Sequence, residues 1–177
     1  MTGHPILDDA ERAAWDAYVA MRTALDRALA AGLRDDADLS EAEFEALLAL
    51  HSARDRTLRT GELAAALCWE RSRVSHLVRR MGERGLVERG ECVDDARGTW
   101  IGLTNPGRRA LLRAVRGHTA LLRELVFEPL GPDGLARLES VSRTIQGAVD
   151  RSRGTSADRQ EPNGPGTGGP VSSGAAS

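Results

Sequence analysis

Residues 84–104 read RGLVERGECVDDARGTWIGLT. Two short apolar runs, Leu86-Val87 and Trp100-Ile101-Gly102-Leu103, flank a loop that carries Asp94, Asp95, Arg97 and Gly98. Aspartate and glycine tolerate locally bonded or left-handed backbone, and the β-branched and aromatic flanks suit strands, so the segment reads as a β-hairpin with a charged tip. A hairpin tip by itself only reverses the chain. What stands before this one gives it a role.

Upstream, residues 56–67 read RTLRTGELAAAL, a short extended piece at Leu58 followed by a helix that Thr60 is placed to cap and that buries Leu63 and Leu67. Only Cys68 to Glu70 separate it from a second helix, in which Val74, Leu77, Val78 and Met81 recur at i, i+3, i+4 and i+7. Two helices at that separation form a helix-turn-helix pattern. Gly85 is placed to cap the second helix and pass the chain to the Leu86-Val87 strand. Opposite the apolar stripe stand Ser72, Ser75, His76, Arg79 and Arg80, with Arg71 and Arg73 at the helix start. These side chains donate hydrogen bonds to phosphates and base edges. A solvated polar face would show the same residue types, but a helix-turn-helix before it and a hairpin after it point to a nucleic-acid interface. The hairpin is then a wing, with Arg97 at a tip that can enter a minor groove.

The rest of the chain is consistent with a mostly α protein carrying a small β-wing. Its 177 residues hold only three Trp, one Tyr and two Phe, so the core is aliphatic. Residues 10–31 place Trp15, Tyr18, Val19, Arg22, Leu25 and Leu29 on one helical stripe. In LSEAEFEALLAL, residues 39–50, Ser40 and Glu43 make a capping box, Leu39 and Phe44 a hydrophobic staple, and Phe44, Leu47, Leu48 and His51 the expected buried stripe. After the hairpin, Asn105-Pro106 starts a helix bearing Leu111, Val115, Leu122 and Leu125, which Pro129 is expected to end. A final helix carries Leu135, Leu138, Val141, Ile145 and Val149 on one side. From residue 154 to 177 the chain has almost nothing to bury and is expected to be a disordered tail.

Charge is unevenly distributed. Residues 1–53 carry 4 Arg against 11 acidic residues, net −7, whereas residues 54–90 carry 9 Arg against 5, net +4. A local positive face attracts a polyanion even though the whole chain is at −2. No apolar run is long enough to span a bilayer, and MTGHPILDDAERA lacks the layout of a signal peptide, so a cytoplasmic location with no membrane partner is expected. Cys68 and Cys92 are too few for a disulfide framework or a zinc site, though a thiol near arginines can sense oxidants.

The stretch DARGTWIGLTNPG, residues 95–107, resembles the wing pattern of the MarR-type winged-helix transcriptional regulators, and ELAAALCWERSRVSHLVRRMGERGLVER, residues 62–89, is similar to their recognition region. The resemblance covers roughly residues 10–150. It implies a winged helix-turn-helix DNA-binding domain over residues 39–104, with N- and C-terminal dimerisation helices over 10–33 and 105–150. It also implies a homodimer on double-stranded, pseudo-palindromic operator DNA and a small aromatic or phenolic effector that weakens DNA binding. The expected DNA-contacting residues are Thr60, Arg71, Ser72, Arg73, Ser75, His76, Arg79, Arg80 and Arg97, with Glu70 and Asp95 supporting the wing. Glu70 is expected to pair with Arg97 when DNA is absent. Two positions depart from the family pattern: Glu70 replaces a small hydroxyl cap, and Cys68 replaces a common glycine, which forces a side-chain-bearing residue toward positive φ.

No nucleophile elbow, P-loop, metalloprotease helix or dinucleotide fingerprint is present, and His4, His51, His76 and His118 do not fall at metal-ligand spacing. The expectation is therefore a regulator, by class a repressor, with neither enzymatic activity nor a cofactor. The rival class is a ligand or thiol-redox receptor whose winged helix mainly contacts protein. Trp15, Tyr18, Arg22 and His51 are the candidate lining of an effector pocket, with Arg22 receiving a carboxylate.

Overall fold

The computed structural model describes residues 7–91 and 99–158. The elements run α1 (Asp9–Ala37), α2 (Glu41–Ser52), β1 (Thr57–Arg59), α3 (Thr60–Leu67), α4 (Arg71–Glu83), β2 (Val87–Glu91), β3 (Thr99–Leu103), α5 (Asn105–Leu122), a π-helical turn (Arg123–Phe127) and α6 (Glu128–Asp158). The chain divides into two compact units, one through Pro129 and one from Leu130 onward.

In the first unit, β3 is the centre of a three-stranded antiparallel sheet ordered β1-β3-β2. Val87 pairs with Leu103 and Glu91 with Thr99, while Leu58 on the other side pairs with Ile101. The extended piece at Leu58 is thus a third strand that ties the helix-turn-helix to the wing strands. Ile101 is fully buried against Leu39, Leu47, Leu50, Leu63, Val74, Leu77, Met81 and Leu111, which join α2, α3, α4 and α5 in one core. Burying a side chain of this size stabilises the fold by about 1.5–3 kcal/mol.

Local chemistry sets the ends of these helices. At α2, the Glu43 backbone N–H donates to Ser40 Oγ (3.3 Å) and the Ser40 N–H donates to Glu43 Oε2 (2.9 Å), which is the expected capping box. Leu39 and Phe44 are both buried beside it. At α3 the cap is Arg59, not Thr60, which is the first helical residue. A guanidinium carries only donors and cannot accept from the helix N–H groups, so the helix entry is held from the other direction: the Arg59 N–H donates to Glu62 Oε2 at 2.7 Å. At the end of α4, Gly85 takes φ +67°, its N–H bonds the Gly82 carbonyl, and the Leu86 N–H bonds the Met81 carbonyl. This pair of bonds is a Schellman motif. The end of α3 has the same form, with Cys68 at φ +53° and the Trp69 N–H on the Ala64 carbonyl.

Several sequence expectations are corrected. Leu48 is 42% exposed and His51 is exposed, whereas Ala46 and Leu50 are fully buried. The buried stripe of α2 is therefore rotated toward the sheet, because α3, β1 and β3 pack on that side. α1 runs to Ala37, past residue 33, and ends with Asp38 in left-handed backbone. Pro129 does not end the helix after the wing. A proline clashes with the carbonyl four residues earlier, and the π-turn that precedes it, with the Glu128 N–H on the Arg123 carbonyl, widens the helix at that point. The break falls at Gly131 (φ +59°, ψ −177°), after which Pro132 opens a new run of helix. That helix continues through Asp158, beyond the residue 154 at which a tail was expected, and residues 159–177 lie outside the described part.

Candidate nucleic-acid interface

α4 has two faces that do not mix. Val74, Leu77, Val78 and Met81 are at most 2% exposed, and Arg71, Ser72, Arg73, Ser75, His76, Arg79 and Arg80 are all exposed. The helix packs on the core through this one stripe, so its polar face stays exposed to a partner. Glu70 is the N-cap but makes no side-chain cap hydrogen bond, consistent with its extra methylene. The first amide N–H groups of α4 therefore keep their donor capacity, which together with the helix dipole favours an anion.

Individual side chains on this face are held to different degrees. The Arg73 guanidinium lies over the Trp69 ring, 3.4 Å from its centroid. Trp69 comes from the turn between the two helices, so the turn itself orients Arg73 by cation–π contact. Ser75 Oγ donates to the Arg71 carbonyl at 2.9 Å, which uses its proton within the helix. Arg79 reaches Glu83 at 3.9 Å, an exposed i,i+4 pair that a phosphate can displace. Thr60 is half-buried at the start of α3, and the next residue, Gly61, lies against the Arg71 guanidinium at the start of α4. Asp95, Arg97 and Cys92 lie outside the described residues, and with them the expected Glu70–Arg97 pair.

Two residues that sequence reasoning passed over belong to this region. Arg89 on β2 donates to the Ser75 carbonyl at 3.4 Å, which sets a further exposed guanidinium beside α4. Arg89 stands two residues after Val87 and so shares its strand face, the one toward α4, a period-2 signal that was visible in the sequence. Arg84, just past α4, donates from Nη1 to Glu43 Oε1 and from Nη2 to Asp38 Oδ2, each at 2.7 Å, and also to the Asp38 carbonyl. It fastens the end of α4 to the junction of α1 and α2. Burial pushes the Glu43 carboxyl up, but the Ser40 N–H, the Ser40 hydroxyl and Arg84 outweigh burial and hold it below its ordinary value. No local sequence signal marks a pair 41 residues apart.

The residues expected to line a pocket are only partly brought together. Trp15 and Tyr18 stack at 5.6 Å, and the Arg22 guanidinium lies 5.9 Å from the Tyr18 ring centroid. They form an exposed cluster on α1, while His51 sits exposed near the end of α2. A cavity of about 240 Å³ lies instead between α1, α2 and α5, lined by Asp26, Leu29, Ala30, Leu33, Glu41, Phe44, Glu45 and His118. The His118 ring is 5.3 Å from Phe44, and its buried Nδ1 has no hydrogen-bond partner. The stripe along the first half of α1 was legible; that its second half faces a cavity was not, because His118 is 92 residues from Asp26 in the chain.

Among the described residues no helix is long and apolar enough to cross a membrane. No three His, Cys, Asp or Glu side chains among them form a metal-binding group.

A family model described as MarR family matches residues 37–98, from the end of α1 to the wing. The transcriptional repressor MprA of Escherichia coli K12 is 26% identical over 113 residues, and the match spans 64% of this chain and 64% of MprA, just under two thirds of that relative. The structure of AbsC, a MarR family transcriptional regulator from Streptomyces coelicolor, superposes with a TM-score of 0.73 at 27% identity, covering 83% of this chain and 99% of AbsC. Sco3205, a MarR family transcriptional regulator from the same organism solved in complex with DNA, gives a TM-score of 0.72 at 32% identity, covering 81% of this chain and 94% of that one. A helix-turn-helix with one basic exposed face, a three-stranded wing sheet and this extent of identity make the chain a member of the MarR family of transcriptional regulators.

Proposed function

We propose that the protein is a homodimeric repressor that binds double-stranded, pseudo-palindromic operator DNA and is released by a small-molecule effector. The observation that carries the DNA part is the clean division of α4, whose apolar stripe is spent on its own core while seven polar or basic side chains remain exposed. Ser72, Arg73, Ser75, His76 and Arg79 are assigned to the major groove, Arg71, Arg80 and Arg89 to phosphates, and Arg97 to the minor groove. The DNA complex of the related Sco3205 favours the same use of this fold. A two-fold dimer presents two recognition helices to major-groove faces about 10 base pairs apart.

The dimer part is supported by apolar residues that the single chain leaves uncovered. Trp15, Tyr18 and Met21 on α1 are 42–58% exposed, and Leu138, Val141, Ile145 and Val149 on α6 are 42–57% exposed. A regular apolar stripe on an exposed helix is the pattern of a helix–helix interface. The effector part is supported by the cavity between α1, α2 and α5, one wall of which is the first turn of α2, to which Arg84 fastens α4.

The test is fluorescence anisotropy with duplex DNA from the region flanking the gene, at several salt concentrations. Arg80→Ala should weaken binding several-fold and lower the slope of log affinity against log salt by about one for each phosphate no longer neutralised. Unchanged affinity, equal affinity for single-stranded DNA, or a folded monomer at micromolar concentration would contradict the proposal.

A further inference from the structure

From the chemistry of the cavity between α1, α2 and α5, we infer that its ligand is an organic cation with a small aromatic or aliphatic body, not a phenolate or carboxylate. The assignment rests on the effector reading above and specifies what that effector is.

The lining divides into two parts. Leu29, Ala30, Leu33 and Phe44 supply apolar surface, with Leu33 and Phe44 buried and the other two half-buried. Asp26, Glu41 and Glu45 supply three exposed carboxylates, and no arginine is among the lining residues. None of the three carboxylates has a hydrogen-bond or ion-pair partner among the described residues. The start of α2 contributes a helix-dipole charge of only about +0.5, and Ser40 and Glu43 already occupy its first donors, so the mouth of the cavity is strongly negative. An anionic effector would enter against that field, and a cationic one is drawn along it.

His118 adds an aromatic edge to the same lining, its ring 5.3 Å from Phe44, which suits a flat or short aliphatic body between them. An inorganic cation is a poor occupant, since no metal-binding group exists among the described residues and the apolar wall would go unused. A volume of about 240 Å³ holds one ring with a short arm, given that a cavity of about 150 Å³ takes up benzene. Arg22, the expected partner of a carboxylate ligand, is absent from the lining and lies against Tyr18 instead.

The experiment compares three probes of one shape: 2-phenylethylamine, which is a cation at pH 7, the neutral 2-phenylethanol, and the anion phenylacetate. Each is titrated calorimetrically into the full-length protein with DNA absent. The amine should bind at least about ten-fold more tightly than the alcohol, a difference of about 1.4 kcal/mol, and phenylacetate should bind most weakly. The Glu41→Gln/Glu45→Gln double variant alters only exposed side chains, so it should keep its helical circular dichroism and lose most of the preference for the amine. Phenylacetate binding as tightly as the amine, above all if Arg22→Ala abolishes it, would overturn the assignment, as would no binding by any probe or a preference untouched by the double variant. Operator release is measured separately by anisotropy. Selective amine binding that leaves the operator bound would uphold the cationic ligand and sink the effector reading alone.

Discussion

Replacing Arg84 with alanine removes a side chain whose ion pairs join the end of α4 to both the end of α1 and the first turn of α2. Its Nη1 lies 2.7 Å from Glu43 Oε1, and its Nη2 lies 2.7 Å from Asp38 Oδ2. The two arms differ in weight. The Glu43 side chain is only 9% exposed, whereas that of Asp38 is 93% exposed, so the Asp38 arm is screened by water and contributes about 0–1 kcal/mol. A charge-assisted hydrogen bond to a buried carboxylate contributes about 1.5–3 kcal/mol, and breaking a fully buried pair costs about 3–5. Arg84 is itself 35% exposed, and Glu43 keeps its bonds from the Ser40 N–H and hydroxyl, so the lower range applies. The expected loss is about 2 kcal/mol, which for a chain of this size lowers the melting temperature by about 4–8 °C. The assay is thermal and urea unfolding followed by circular dichroism, at one protein concentration because dimerisation adds to apparent stability. A double-mutant cycle with Glu43→Gln should give a coupling of about 1–2 kcal/mol.

The pH dependence has a definite sign. The folded-state pKa of Glu43 lies below its ordinary 4.5, so the stabilisation is fully present above the unfolded-state value and is lost as pH falls through the folded one. Wild type and Arg84→Ala should therefore converge in stability in acid, separate as pH rises toward 4.5, and keep a constant difference above it. A melting temperature within about 1 °C of wild type at neutral pH, or a coupling near zero, would refute the claim that this pair holds the recognition helix in place.

Two further substitutions test the backbone. Cys68→Gly relieves a side-chain-bearing residue at φ +53° and should raise stability by about 0.5–1 kcal/mol in urea unfolding; a loss would show that the thiol makes a contribution its exposure conceals. Gly107→Ala should prevent accumulation of folded protein, since a Cβ there would collide with the Leu86 backbone carbonyl, and a soluble variant of wild-type melting temperature would contradict the close approach of α5 to the wing sheet.

The sequence was most informative where one residue type has one physical use. The stripe Val74, Leu77, Val78, Met81 is the buried stripe of α4, Ser40 and Glu43 form their box, and Cys68 takes the positive φ that the missing glycine implied. It was least informative where several residues could serve equally. In α2 the leucines 47, 48 and 50 are chemically alike, and only the position of α3 and the sheet selects Leu47 and Leu50 for the core. Thr60 is a better N-cap than Arg59 by its side chain, yet Glu62 accepts the Arg59 N–H and sets the helix start one residue earlier. For the candidate site, the exposed face of α4 was legible, but the cavity was not. Its walls come from three helices, and His118 gives no local sign that it faces Phe44. Arg84 was similarly opaque, because its partners are fixed by tertiary packing alone.

The π-turn at Arg123–Phe127 holds one residue more than an α-helical turn would, and that extra residue rotates the succeeding side chains by about 100°. Leu111 is buried and Val115 and Leu122 are partly buried, yet Leu125, which continues their near-heptad spacing, is 42% exposed. The helical stretch from Asn105 to Leu130 thus changes register before the break at Gly131. Positions 111, 115 and 122 answer to the core of the first unit, and position 125 is released from that obligation. In a lineage of such proteins residue 125 can drift without matching changes at the three positions ahead of it, and deleting a single residue within Arg123–Phe127 would bring the end of the stretch back under their constraint.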